Sequence, residues 1–188
     1  MEAVTATEGV PAEISDAPAN RVGILTVSDR ASQGEMDDSS GPAIEAVLRG
    51  AGFEIALYAV VPDEKRTIRR TLERWVDDGL CDCIVTTGGT GLGPRDVTPE
   101  ATSRILDKTL PALAMQIALE GAKTVPTAVL SRAVAGVRAG ALIVNLPGSP
   151  NGAAAGAKIL APLIPHALKV LRGHAAHPKA DEADDADV

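Results

Sequence analysis

Polar, charged or turn-forming glycine residues follow apolar segments at four places in this 188-residue chain. Arg95 and Asp96 close the run Thr86-Thr87-Gly88-Gly89-Thr90-Gly91-Leu92-Gly93-Pro94-Arg95-Asp96, and Asp63 follows another apolar segment within Pro62-Asp63-Glu64. Ser28, Asp29 and Arg30 open a polar stretch that contains Asp38, and Pro147, Gly148 and Ser149 follow the apolar run Ala141–Leu146. Glycine lets the backbone come close to a ligand and take positive φ. Backbone N–H groups and helix N-termini bind phosphate without net charge. Carboxylates among such donors repel an anion, so their presence suggests a bridging Mg²⁺, which prefers one or two carboxylates plus phosphate oxygens. The combination describes phosphoryl or nucleotidyl transfer.

The glycine run is not a Walker A loop, because no Gly-Lys-Ser/Thr follows, and Pro94 stands where a dinucleotide fingerprint needs its third glycine. Plainer roles exist for each residue. Asp63 could cap or balance a helix start, Arg95 and Asp96 could form a surface pair of small energetic value, and Ser149-Pro150 starts a helix well in any protein. His174 and His177 have metal-like spacing but lack a third ligand. Cys81 and Cys83 share one face of a strand, match no redox or zinc spacing, and read as packing residues in a reducing compartment.

These residues need a scaffold of strands that end near one another. Val22–Ser28, Phe53–Val61, Cys83–Val85 and Ala141–Leu146 read as strands. Helices are expected from Gly41-Pro42 with Ile44, Val47 and Leu48, and from Pro62 on with Ile68, Leu72, Trp75 and Val76 at helical spacing. Thr98 is the expected N-cap, with Pro99 at the first helical position, of a helix carrying Ile105, Leu106, Leu113 and Ile117. The stretch Thr127–Val137 is mixed in character, and helix then runs to about Arg172 with breaks near Pro162 and Pro165. Continuous apolar strands alternating with amphipathic helices predict an α/β fold, a three-layer α/β/α sandwich around a mainly parallel sheet. Ligands in such folds bind outside the carboxyl ends of the strands, where all four polar loops begin.

Composition sets the remaining bounds. Residues 1–20 carry four acids and no base, and residues 181–188 carry five acids and no base, so acidic tails at 1–20 and 173–188 are expected to flank one domain at 21–172. Without those nine acids, 18 Lys and Arg face 16 Asp and Glu, so the net charge of −7 says little about the working surface. Phe53, Tyr58 and Trp75 are the only aromatics, which argues against nucleic-acid stacking surfaces. No apolar run reaches the length of a bilayer span, and no signal-peptide pattern precedes the first strand, so a cytoplasmic protein without a membrane partner is expected.

Ser28-Asp29-Arg30 with Asp38 and Gly41-Pro42, the run Thr87 to Glu100, Pro126-Thr127 through Leu130-Ser131-Arg132, and Asn145 to Pro150 together resemble the MogA/MoaB molybdopterin-binding family. The resemblance covers about residues 21–172 and is nearest to the Mog branch, molybdopterin adenylyltransferase. It implies that the phosphate of molybdopterin attacks the α-phosphorus of Mg-ATP, giving adenylylated molybdopterin and pyrophosphate in molybdenum cofactor biosynthesis. By matched position, Asp63 and Asp96 would be the essential acids and hold Mg²⁺. Gly88, Gly89, Thr90 and Gly91 with Arg95 would cradle phosphate or pterin, while Pro147, Gly148 and Ser149 would line the pterin-phosphate pocket. Ser28, Asp29, Arg30 and Asp38 would serve the nucleotide side. The family also implies a homotrimer and a molybdenum-insertion protein as the next partner. Asn151-Gly152-Ala153-Ala154 brings no base to the phosphate. Two alternatives remain: a non-catalytic MoaB-like molybdopterin-binding protein and a CinA-like nucleotide pyrophosphatase.

Overall fold

The computed structural model describes residues 20–173. The expected tails and the pair His174 and His177 fall outside them, apart from Asn20 and Gly173. Six strands form one sheet: β1 (Arg21–Val27), β2 (Glu54–Val61), β3 (Cys83–Thr87), β4 (Lys108–Thr109), β5 (Ala135–Arg138) and β6 (Ala141–Leu146). Their order is β2-β1-β3-β6-β5-β4. The first four in that order are parallel, and β5 and β4 complete one edge in antiparallel fashion.

The helices are α1 (Asp29–Ser32), α2 (Ser40–Gly50), α3 (Lys65–Asp77), α4 (Thr98–Ser103), α5 (Pro111–Ala122), α6 (Pro150–Leu160) and α7 (Ile164–Leu171), and a short 3-10 turn spans Pro126–Leu130. Alternate strand residues feed two apolar layers. Ile24, Val85 and Val144 pack with α2, α5, α6 and α7. Leu25, Ile84 and Ile143 pack with α3 and α4, including Ile68, Leu72 and Trp75. The three layers and the mainly parallel sheet are as the patterning predicted.

Two local expectations are corrected. The segment after the glycine loop is not one helix: α4 ends at Ser103, and β4 separates it from α5. Ile105 belongs to the layer on one face of the sheet and Ile117 to the layer on the other. The chain must therefore cross the sheet edge between them, and one straight helix cannot serve both layers. Thr98 is also not the N-cap of α4. Val97 holds that position, and the Thr98 hydroxyl donates instead to the Gly88 carbonyl at 2.9 Å.

Strand register decides where the site lies. Thr26 of β1 pairs with Thr87 of β3, Thr87 pairs with Leu146 of β6, and Val27 pairs with Val61 of β2. The loops starting at Ser28, Pro62, Gly88 and Pro147 therefore leave the sheet at nearly one level. The strand order reverses between β1 and β3, which is where an open α/β sheet forms its ligand crevice.

Candidate active site

The glycine loop sits on this crevice, and its conformation needs glycine. Gly88 and Gly89 have φ of 95° and 63°. A Cβ on Gly88 would lie 2.2 Å from the Val27 carbonyl oxygen, so the loop passes directly over the end of β1. A Cβ on Gly148 would lie 3.1 Å from Gly88 Cα, which packs the loop after β6 against the loop after β3. The Thr87 hydroxyl ties the same two loops by donating to the Pro147 carbonyl at 2.7 Å.

Asp29, Asp63 and Arg95 come together, although they are far apart in sequence. The Asp29 N–H donates to Asp63 Oδ2 at 2.8 Å, and the Asp63 N–H donates to Asp29 Oδ1 at 2.9 Å. Arg95 donates through Nε and Nη2 to the two Asp29 carboxylate oxygens at 2.9 and 2.8 Å. The exposed Arg95 guanidinium beside Asp29 holds that carboxyl below the ordinary range. Burial pushes the Asp63 carboxyl up, and the nearby negative charges of Asp29 and Asp96 push the same way. Asp63 therefore does not cap its own helix, since Glu64 occupies the N-cap of α3. It accepts the first N–H of α1 instead.

Asp96 reaches the loop from its other end. Its Oδ2 accepts the Gly93 N–H at 2.7 Å and stands 2.9 Å from where a Gly91 Cβ would be. Asp63 Oδ1 is 3.0 Å from where a Gly89 Cβ would be, so the two acids meet the loop two residues apart.

A cavity of about 970 Å³ opens beside the loop. Gly89, Thr90, Gly91 and Asp96 form one wall, Pro147, Gly148 and Ser149 another, and α5 with the 3-10 turn supplies an apolar third. No Lys or Arg among the described residues lines it, and its charged lining residues are Asp96 and Glu120. An anion there would depend on backbone N–H groups. Ser149 is the N-cap of α6 and accepts the Gly152 N–H at 3.2 Å, which leaves its hydroxyl hydrogen for a ligand.

Other expected residues lie elsewhere. Ser28 caps α1 by accepting the Ala31 N–H at 3.2 Å. Arg30 is exposed, and its guanidinium makes no hydrogen bond among the described residues. Asp38 does not line the cavity. Its carboxylate accepts the Ser40 and Gly41 N–H groups, each at 3.0 Å, together with the Tyr58 hydroxyl, and so anchors the start of α2. Burial pushes the Asp38 carboxyl up, but the surrounding donors, the neighbouring Thr26 hydroxyl first and then Tyr58, Gly41 and Ser40, outweigh it and leave the group below its ordinary value.

Two further residues organise the site. Asn145 is fully buried: its Nδ2 donates to the hydroxyls of Thr86 at 2.8 Å and Thr102 at 3.0 Å, and its Oδ1 accepts the Val134 N–H at 3.2 Å. It joins β6 to β3, α4 and the entry to β5, and does not contact the cavity. Arg132 has no counterpart in the expectations about single residues. Its side chain donates to Gly91 and Asp96 carbonyls and to the Glu100 carboxylate. Those partners lie 32 to 41 residues away, so no local pattern could have exposed the role.

Among the described residues, no three His, Cys, Asp or Glu side chains converge as a protein-only metal cage. The donor set fits Mg²⁺ held in part by a ligand, because two carboxylates, Asp63 and Asp96, approach the same glycine loop, and Mg²⁺ takes one or two carboxylates with its remaining oxygens from elsewhere.

Comparison with known proteins gives a consistent result. The family described as a probable molybdopterin binding domain matches residues 23–166. The molybdopterin adenylyltransferase of Helicobacter pylori is 41% identical over 159 residues, covering 81% of this chain and 88% of that protein. The Escherichia coli protein of the same name is 44% identical over 134 residues, covering 70% of this chain and 68% of that one. The crystal structure of the molybdopterin biosynthesis enzyme MoaB from Thermus thermophilus superposes with a TM-score of 0.77 at 51% identity, over 81% of this chain and 96% of that one. Matched over residues 23–166 by that family and more than 40% identical to these relatives over most of its length, the chain belongs to the MogA/MoaB-type molybdopterin-binding family.

Proposed function

We propose that the protein is a molybdopterin adenylyltransferase of molybdenum cofactor biosynthesis, transferring AMP from Mg-ATP to the phosphate of molybdopterin with release of pyrophosphate. The observation that carries the reading is the approach of Asp63 and Asp96 to one glycine loop at the switch point of the sheet. A binding-only protein has no need to keep two acids against a phosphate loop, where their charge opposes the ligand.

The roles follow from position. The cavity takes molybdopterin, with its pterin along the apolar wall and its phosphate toward Ser149 and the N-terminus of α6. The loops at Asp29, Arg30 and Asp63 take the nucleotide, with Arg30 free to meet a phosphate. Asp38 holds the start of α2 beside that region. Asp63 and Asp96 would hold Mg²⁺, which when bound neutralises the triphosphate and supports the departing pyrophosphate. Gly88 to Gly91 orient the phosphates through backbone N–H groups, and the transfer proceeds by alignment and charge neutralisation. The exposed apolar residues Met115, Leu119 and Val129, outside that cavity, offer a surface that another copy would cover, in keeping with a homotrimer. A cytoplasmic setting and delivery of the product to a molybdenum-insertion protein complete the proposal.

The test is product analysis after incubation with ATP and Mg²⁺, with and without molybdopterin. Pyrophosphate and adenylylated molybdopterin formed only in the presence of molybdopterin support the transferase. AMP and pyrophosphate formed without it would make the protein a pyrophosphatase, and tight molybdopterin binding without turnover would make it a binding protein.

A further inference from the structure

Arg132 occupies an unusual place in the site. It follows the 3-10 turn Pro126–Leu130, and its guanidinium reaches back across the base of the glycine loop. Nε donates to the Gly91 carbonyl at 2.7 Å, Nη2 donates to the Asp96 carbonyl at 2.7 Å, and Nη1 donates to the Glu100 carboxylate. The Arg132 backbone N–H donates to the Thr90 carbonyl at 2.9 Å. One residue thus pins both ends of the loop and the first turn of α4.

Little else holds the intervening segment. Residues 92–95 are exposed, and the bonds across this span are the Gly93–Asp96 pair and the contact of Arg95 with Asp29. Without Arg132 the Asp96 backbone would be fixed only by its bond to the Gly93 carbonyl, itself part of the exposed span. A planar guanidinium can serve three acceptors in different directions at once, whereas an ammonium on a flexible stem cannot reproduce that fork. The contact with Glu100 keeps the fork oriented: burial pushes the Glu100 carboxyl up, but the hydrogen bond from Arg132 and the bonds beside it outweigh this and leave it below its ordinary value.

We propose that Arg132 is a positioning residue for Asp96: it touches no substrate, and it sets where the Asp96 carboxylate and the Thr90–Gly91 part of the loop stand when Mg-nucleotide binds. The inference rests on the transferase reading for its catalytic consequence but not for its structural one. Loss of an outer partner of a metal-holding group commonly costs about 10–100-fold in affinity or activity.

The experiment compares the full-length protein with Arg132→Lys and Arg132→Ala. Three quantities are read: binding of Mg²⁺ with the non-hydrolysable analogue AMPCPP by calorimetry, amide exchange at residues 90–96, and kcat with the half-saturating Mg²⁺ concentration. The expected results for Arg132→Lys are about tenfold or more weaker binding of Mg-AMPCPP, faster exchange confined to residues 90–96, and a raised Mg²⁺ requirement with little change in KM for molybdopterin. Added methylguanidinium restores part of the kcat of Arg132→Ala. Unchanged Mg-AMPCPP affinity and unchanged exchange in well-folded Arg132→Lys would overturn the proposal. A loss of kcat that follows only the folded fraction, with Mg²⁺ dependence as in wild type, would also overturn it. If wild type binds Mg-AMPCPP but releases no pyrophosphate with molybdopterin, the transferase reading fails, and the affinity and exchange data still decide the role of Arg132.

Discussion

Replacing Asn145 with leucine separates scaffold from chemistry most sharply. Asn145 opens the segment Asn145-Leu146-Pro147-Gly148-Ser149-Pro150, so sequence alone places it with the ligand loop. The structure instead buries its amide in a junction of four segments, β6, β3, α4 and the entry to β5, outside the cavity lining. A leucine side chain has nearly the same branching but no polar atoms. The Val134 N–H would lose its side-chain acceptor, at a cost of about 1–3 kcal/mol. The hydroxyls of Thr86 and Thr102 would lose a shared donor, which adds about 1 kcal/mol. The total is about 3 kcal/mol on the same scale. For a domain of this size, roughly 2–4 °C of Tm is lost per kcal/mol, so Tm should fall by about 6–12 °C. Calorimetry or circular dichroism reads the shift, and turnover is measured well below the lowered Tm. The folded fraction of Asn145→Leu should turn over near the wild-type rate. An unchanged Tm with lost turnover would refute the reasoning and return Asn145 to the reacting centre.

Other substitutions probe the acids and the loop directly. Asp96→Asn keeps an oxygen for the Gly93 N–H, so Tm should hold while kcat falls on the order of 100-fold or more, because several kcal/mol of charge stabilisation is lost at about 1.4 kcal/mol per tenfold. Wild-type turnover would remove Asp96 from the mechanism. Gly91→Ala places a Cβ 2.9 Å from Asp96 Oδ2 at a residue outside the left-handed region, so it should displace the carboxylate and lower kcat with little change in Tm. A fall in Tm that matches the loss of activity would show instead that the backbone had moved. Asp63→Asn tests the raised carboxyl by the pH dependence of stability. The folded form holds the Asp63 proton more tightly than the unfolded chain does, so wild type loses stability as pH rises from the ordinary carboxylate range through the raised value. The Tm of Asp63→Asn relative to wild type should therefore be higher at neutral pH than in acid, while turnover is lost. A relative Tm that falls on going from acid to neutral pH would contradict this sign.

What the sequence disclosed was the chemistry carried by local patterns. Glycines at a strand end, Pro at helix starts and period-matched apolar residues are short-range signals, and they located the four loops and the parallel core around them. β4 and β5 escaped because strands of two and four residues at a sheet edge owe their existence to distant partners. The single helix expected beyond Thr98 failed for a related reason: apolar periodicity does not say which face of the sheet a residue will cover. Arg132 and the interlocked backbones of Asp29 and Asp63 were hidden because their bonds span more than 30 residues. Asp38 had the right type beside the right loop, yet its carboxylate is engaged by the start of α2 and by Tyr58.

The proposed transfer depends on one divalent ion shared by two carboxylates that the fold brings to the glycine loop. Crystals grown with Mg²⁺ and AMPCPP test it most directly. Mg²⁺ is expected at a coordination distance of about 2.1 Å from oxygens of both Asp63 and Asp96, with its remaining ligands from the triphosphate and water. A metal bound to the nucleotide alone, with both side chains turned away, would contradict it.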